Sequence, residues 1–267
     1  MASRTKQKEE ARARRLAEEQ ARAEKARRDR RVRMLGGVVL IAAAIVAVAI
    51  ALSSGGGGNK TVNPNSSTAK QATTSVTALL AGIPQSGMTL GSPSAKVTVT
   101  EYGDLQCPVC QTFALGAQNQ LIQNDIRSGK AKLVFRSLET ASSSSPIPNA
   151  FQTQQVAAGA AGLQNLAWYY IELFYHQQGQ EGTGYVTESY LDGLARQVPG
   201  LNYSKWLADR KDPSLLGQLT ADQQAAASSG LNSTPTVVVS GPKGTSQPIV
   251  GANNYSVYQQ AISAAGG

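Results

Sequence analysis

Side chains that hold metals or build cross-links are scarce in this 267-residue chain, which has two cysteines and one histidine. Zinc sites draw four ligands from Cys, His and carboxylate side chains. Two cysteines, with His176 far along the chain, fall short of that set, so no metal or other cofactor is expected. Two cysteines also exclude the disulfide framework that staples small secreted domains. Basic excess is missing from most of the chain as well. Thirteen Lys and Arg against six Asp and Glu within residues 1–33 supply +7 of the formal +8. The remaining +1 gives a folded domain no footprint for nucleic acid, and none is expected as a partner.

Charge and proline are both absent from residues 34–52, MLGGVVLIAAAIVAVAIAL. At about 1.5 Å per residue such a helix nearly spans the ~30 Å hydrocarbon core of a bilayer. An apolar surface on all sides excludes an ordinary core helix, which would show a polar stripe. The basic flank orients the N-terminus inward. A single-pass protein of the plasma membrane is therefore expected, with residues 1–33 as a cytoplasmic tail and the rest of the chain outside. The long, partly acidic basic region favours an uncleaved anchor over a signal peptide cut near Ala47-Val48-Ala49. In the tail, Glu10–Arg14, Glu18–Arg22 and Glu24–Arg28 are acid-then-base pairs at helical spacing. Leu16 is nearly its only apolar residue, so a solvated helix is expected. Arg27 to Arg33 lie close enough to the span to meet anionic lipid.

Residues 53–77 are rich in Gly, Ser, Thr and Asn and are expected to form a flexible linker. Residues 78–267 have the size of one domain. Lys96 to Tyr102 alternates and is β-branched, which predicts a strand. A helix is expected from Gln111 to Ile126, with Phe113, Leu115, Leu121 and Ile122 as its apolar contacts. A second strand follows over Ala131 to Leu138. Residues 150–177 read as one long helical stretch, with Leu163, Leu166, Ala167, Tyr170, Leu173 and Phe174 on one face. Further helices are expected at 187–197, 203–209 and 215–229. A buried strand at Thr236–Ser240, a turn at 241–244, a partner strand at 247–250 and a closing helix at 255–264 complete the pattern.

Both cysteines sit in Cys107-Pro108-Val109-Cys110. Closing so short a loop adds little stability, since loop-closure entropy grows with loop length. The pair is there for its chemistry, and in an oxidising compartment that chemistry is thiol–disulfide exchange. A strand, a break at Gly103-Asp104 and a proline suited to the first helical turn place Cys107 at a helix N-terminus. Free N–H groups and the helix dipole stabilise a thiolate there. Cys107 is the expected attacking, partly exposed sulfur, and Cys110, one turn on, the inward resolving one.

Two runs, VTEYGDLQCPVC from Val99 to Cys110 and STPTVVV from Ser233 to Val239, resemble the DsbA-like thioredoxin-fold oxidoreductases. They are most similar to the membrane-anchored members of high-GC Gram-positive bacteria. The resemblance extends over residues 82–265 and includes Gly251-Ala252 before the last helix. It implies an α/β, thioredoxin-like fold with a helical insertion at about 148–230, preceded by one transmembrane helix. It implies that Thr234-Pro235 is a cis-proline loop that faces the cysteines and pairs with an extended substrate. It implies that Glu101, six before Cys107, is a buried acid beneath them; an exposed strand position is the alternative for that residue. Pro108 and Val109 support the site. Val109 stands where the best-known members carry a histidine, which removes one stabiliser of the thiolate. Trp168, Tyr169, Tyr170, Phe174 and Tyr175 are expected in core packing or, alternatively, beside a peptide groove.

The implied activity is disulfide formation in exported proteins, with reoxidation by a DsbB- or VKOR-type membrane partner. The alternatives are a reductase or isomerase on the same fold, and a membrane-tethered chaperone or binding module whose cysteines matter little.

Overall fold

The computed structural model describes residues 61–267. The tail, the apolar run 34–52 and the first part of the linker lie outside the described residues, among which no helix is long and apolar enough to cross a membrane.

The central sheet is built around β3 (Val97–Gly103), whose Val97, Val99 and Glu101 alternate onto one buried face. β3 runs parallel to β4 (Ala131–Ser137) and antiparallel to β5 (Thr236–Gly241). The β3–β4 connection is α2, residues 108–126, in which α-helical turns at Pro108–Phe113 and Asn119–Leu121 alternate with π-helical turns at Ala114–Gln118 and Ile122–Ile126. Outside β4 lies a small hairpin, β1 (Gln85–Ser86) and β2 (Thr89–Leu90), and on the far side β6 (Gly244–Thr245) and β7 (Ile249–Val250) pair with β5. The closing helix, α8, spans Tyr255–Ala265. Of the apolar contacts expected on α2, Phe113, Leu121 and Ile122 are buried, but Leu115 points to solvent at 38% exposure. The π-turns advance the helix by more than 3.6 residues per turn and rotate that position off the apolar face.

Helix α1 (Ser67–Leu80) overturns the linker expectation for residues 67–77. Its composition is that of a coil, but Ala69, Ala72, Val76, Leu79 and Leu80 form a sparse, fully used apolar stripe. Both ends are capped. Ser66 Oγ accepts from Ala69 N at 3.1 Å, and the Arg127 guanidinium donates to Leu79 O and Ala81 O, each at 2.7 Å.

The helical insertion contains α3 (Ala150–Gly162), α4 (Ala167–His176), α5 (Glu188–Ala195), α6 (Tyr203–Asp209) and α7 (Pro213–Ser228). The single stretch expected over 150–177 is two helices. Asn165 takes the left-handed conformation at φ 58°, and Asn165 N and Leu166 N donate back to Gly162 O and Ala161 O. This is a Schellman stop, and asparagine tolerates it without glycine. Leu163 is consequently 43% exposed rather than on the buried face. Helix α4 is wrapped by α1, α2, α3 and α5 and is buried on nearly every side. Trp168, Tyr170, Phe174 and Tyr175 are core residues in it, and Tyr170 stacks on Trp206 with centroids 6.0 Å apart. Tyr169 packs against this core from a half-buried position. These aromatics hold the insertion together.

Candidate redox site

The chain leaves β3 at Gly103, turns, and enters α2 at Pro108. Cys107 N donates to Asp104 O at 3.0 Å, and Cys107 caps the helix in extended geometry, φ −73° and ψ 121°. Pro108 occupies the first helical position, where its missing N–H costs nothing. Val109 points outward at 44% exposure, and Cys110 points inward at 0%.

Cys107 is 6% exposed, less than the partly open sulfur that was expected. The loop before β5 covers it. The Thr234–Pro235 peptide bond is cis, Pro235 is buried, and the Cys107 thiol donates to Thr234 O at 3.5 Å. Gly251 N, adjacent to Ala252, donates to Pro235 O at 2.8 Å and holds this loop from behind. From the insertion, the Gln178 side chain donates to Leu105 O at 2.7 Å and to Cys107 O at 3.1 Å. Gln111 donates to Tyr175 O at 2.7 Å, so α4 grips the start of α2 from below.

The two sulfurs differ sharply in acidity. A hydrogen bond from the Cys110 thiol, helped by the Thr234 hydroxyl and by backbone N–H groups of Cys110 and Val109, pulls Cys107 down to about 6 against the opposing effect of burial. Burial pushes Cys110 well above the ordinary thiol range, and its hydrogen bond to Cys107 pushes the same way. Near neutral pH Cys107 is the thiolate and Cys110 the thiol.

Glu101 lies beneath them. It is fully buried, level in the sheet with Phe135 of β4 and Val237 of β5, and neither carboxylate oxygen has a hydrogen-bond partner. Burial, with the nearby Glu172 carboxyl, raises its pKa well above the carboxylate range. Glu172 was not anticipated from the sequence. It sits in α4 between aromatic residues, fully buried, with Oε1 accepting from Gln118 Nε2 at 2.9 Å and Oε2 unpartnered. Burial lifts it to about 7. An acid in so apolar a helix was the signal available for it. Tyr175 OH, also buried and unpartnered, belongs to the same floor: burial raises its pKa, and the charges of Cys110 and Glu101 push the same way.

Asp104 was noted in the sequence only as a strand break. It is buried and accepts from Gln106 N at 3.0 Å, Thr140 N at 2.9 Å, Ser142 N at 2.8 Å and Gln154 Nε2 at 3.0 Å, and also from the Ser142 hydroxyl. It thereby fastens the turn at 140–144 to the redox loop. His176 is half-buried at the end of α4 in a polar groove with Arg127 and Asn124, and burial lowers its pKa. Among the described residues, no group of three or more His, Cys, Asp or Glu side chains is arranged to hold a metal.

Comparison with known proteins agrees with this architecture. The family model for thioredoxin matches residues 84–262. Probable disulfide bond formation protein D of Bacillus anthracis is 24% identical over 156 residues, 57% of this chain and 69% of that protein. The crystal structure of oxidised BdbD from Bacillus subtilis superposes with a TM-score of 0.57 at 19% identity, covering 67% of this chain and 94% of that one. Pseudomonas aeruginosa DsbA2 superposes with a TM-score of 0.54 at 22% identity, covering 68% and 94%. At these identities the structural likeness establishes the fold.

Proposed function

This chain belongs to the thioredoxin family, and we propose from that membership and from its site that it is a DsbA-like protein thiol:disulfide oxidoreductase. The observation that carries the proposal is the split between the two sulfurs: an acidic Cys107 at the mouth against the Thr234-Pro235 loop, and a buried Cys110 above Glu101. Glu101, Pro108, Val109, Thr234 and Pro235 support exchange at that pair. The relatives named for disulfide bond formation favour the oxidising direction.

Oxidation of a substrate dithiol proceeds in two exchanges. A substrate thiolate attacks Cys107 Sγ, the Cys107–Cys110 bond breaks, and Cys110 departs and is protonated. A second substrate thiolate then attacks the substrate sulfur of the mixed disulfide and releases the Cys107 thiolate. Two electrons pass to the protein dithiol, and one disulfide forms in the substrate. The low pKa of Cys107 makes it a good leaving group in the second exchange, and stabilising the reduced form makes the couple oxidising. Glu101, kept largely protonated by burial, gives the departing Cys110 its proton in this reading, which its coupling to Cys110 supports.

Substrates are exported proteins with free thiols, and a DsbB- or VKOR-type membrane protein restores the disulfide. Residues 34–52 anchor the chain in the plasma membrane with the basic tail inside and the redox domain outside. A reporter fused after Gly267 should be active only outside the cytoplasm, and cytoplasmic activity would remove the compartment on which oxidation depends. The function itself is tested by redox titration of the full chain and by turnover on reduced, unfolded ribonuclease. An oxidase regains ribonuclease activity stoichiometrically and titrates well above the potential of thioredoxin. A thioredoxin-like potential would make it a reductase. Turnover indifferent to loss of both cysteines would make it a binding module.

A further inference from the structure

The turn at 140–144 has no part in the exchange chemistry described so far, yet it reaches the attacking sulfur through a chain of hydroxyls. Thr140 Oγ1 lies 2.5 Å from Thr234 Oγ1. Thr234 adjoins the sulfur: its backbone O accepts from the Cys107 thiol at 3.5 Å, and its hydroxyl helps to lower the Cys107 pKa. Thr140 is itself fixed, because its N–H donates to the buried Asp104 carboxylate at 2.9 Å. Asp104 also holds Gln106, the residue before Cys107, and Ser142, two residues after Thr140. One carboxylate therefore sets the distance between the two ends of this chain of hydroxyls.

We propose that Thr140 is a positioning residue for the attacking sulfur: its hydroxyl donates to Thr234 and thereby turns the single Thr234 proton toward Cys107. A threonine hydroxyl has one hydrogen and two lone pairs. Between two threonines only one proton can lie on the shared line. If Thr234 supplied it, Thr234 would present lone pairs to a thiolate and repel it. If Thr140 supplies it, the Thr234 proton is free for the sulfur, and each bond in the chain polarises the next. In the thiolate the order is Thr140 O–H to Thr234 O–H to Cys107 S⁻. When Cys107 enters a disulfide it no longer draws that proton, and the order is free to reverse. The relay thus favours the reduced protein and the release of substrate.

The inference rests on Cys107 being the attacking sulfur. Other titratable groups that act on or surround it are Cys110 on its own helix, Glu101 on β3, Tyr175 on α4 and Asp104 in the redox loop. All of them remain in every variant below, so a change in the Cys107 profile reports on the hydroxyls alone.

The test is the pH dependence of iodoacetamide labelling of Cys107 in the reduced full chain, followed by mass spectrometry. Thr140→Val keeps the shape and removes the hydroxyl. It should move the Cys107 midpoint up by about half a pH unit, a roughly threefold loss of thiolate below the midpoint. Thr140→Ser should restore the parent profile. In a Thr234→Val background Thr140→Val should have no further effect, because Thr140 acts only through Thr234. If circular dichroism shows Thr140→Val unfolded, Thr140→Ala takes its place. An unchanged midpoint in a folded variant, or shifts that add in the double variant, would overturn the relay. Faster labelling of Cys110 than of Cys107 in the parent would instead overturn the assignment of the attacking sulfur, whatever the variants show.

Discussion

The rim and the floor of the redox site are three residues apart in sequence and chemically opposite. At the rim, Cys107 meets donors: the Cys110 thiol, the Thr234 hydroxyl and the N–H groups of Val109 and Cys110. On the floor, Cys110 meets burial and the Glu101 carboxyl, which Glu172 raises in turn, and three of the four oxygens of these two acids have no partner. Donors favour a thiolate, whereas burial among carboxyl groups favours a thiol. A single helical turn that crosses this step separates two chemically identical side chains into a thiolate and a thiol. Neither environment alone would do so, because each sulfur also acts on the other through their shared hydrogen bond.

Deleting one side at a time breaks the comparison most severely. Cys107→Ser and Cys110→Ser should both abolish oxidation of a dithiol substrate. Offered a disulfide-bonded protein instead, only Cys110→Ser should accumulate mixed disulfides, visible on non-reducing gels, because only the rim thiolate attacks the bond and no neighbouring sulfur resolves the adduct. Equal trapping by the two variants would mean that the step between rim and floor does not direct exchange.

Labelling rates in the reduced parent measure the height of that step. Cys107 should label with a midpoint at about 6. Cys110 should remain unlabelled until the pH exceeds the ordinary thiol range. At pH 7 the thiolate populations then differ by about 100-fold or more. Stability carries the same signature with a definite sign. A free thiol in the unfolded chain titrates near ~8.5, and Cys107 in the fold at about 6. Its folded-state pKa is depressed, so its contribution to the reduced protein is complete above ~8.5 and is lost as pH falls through about 6. Chemical denaturation of reduced and oxidised protein across that window should show the reduced form losing its advantage on acidification.

The floor is probed by its acids. Glu101→Gln keeps the shape and removes the titrating proton. It should slow the first exchange, in which Cys110 departs, by about tenfold or more and flatten its pH dependence. Glu172→Gln should act more weakly, by removing a charge that raises Glu101. Its effect should be a displacement of the Glu101-dependent limb toward lower pH, read from the rate of the first exchange in stopped flow. A Glu172 variant that slows the reaction without moving that limb would make Glu172 a packing residue only.

The rim was largely legible in the sequence and the floor only in part. Cys107, Pro108 and Cys110 announce a helix start because their local chemistry, a strand end followed by a proline, is sequential. Glu101 was reached only through the family resemblance, with an exposed strand position as the alternative, and its parity with Val97 and Val99 on the buried face of β3 decides between them. Glu172 was hidden because its burial comes from four helices closing around α4, a tertiary event without a local period. Thr140 and Asp104 were hidden for the same reason, since their partners lie 36 and 94 residues away. Helix α1 was misjudged because small residues cover its buried stripe, and alanine at two of five core positions reads as coil composition beside serine and threonine. The attribution of the low Cys107 pKa to the helix start was incomplete: the Cys110 thiol is the largest contributor and the backbone N–H groups act beside it.

The smallest expected effect tests where the rim ends. Val109 lies between the two cysteines but points to solvent, 44% exposed. Val109→His would add a cation at the rim while leaving the floor untouched. An imidazole titrates near ~6.5, so around pH 6 it is mostly charged as Cys107 ionises. The pair should favour the Cys107 thiolate and move its labelling midpoint down by a few tenths of a pH unit at low ionic strength. Because the site for the imidazole is exposed, salt should erase the shift, the Debye length falling to ~3 Å at 1 M. Cys110 should label at the parent rate throughout, since the new charge is screened from it by solvent and by the rim itself. A shift that survives high salt would mean the imidazole packs against the sulfur rather than acting through solvent. A matching shift at Cys110 would mean that the boundary between rim and floor lies deeper in the helix than the first turn.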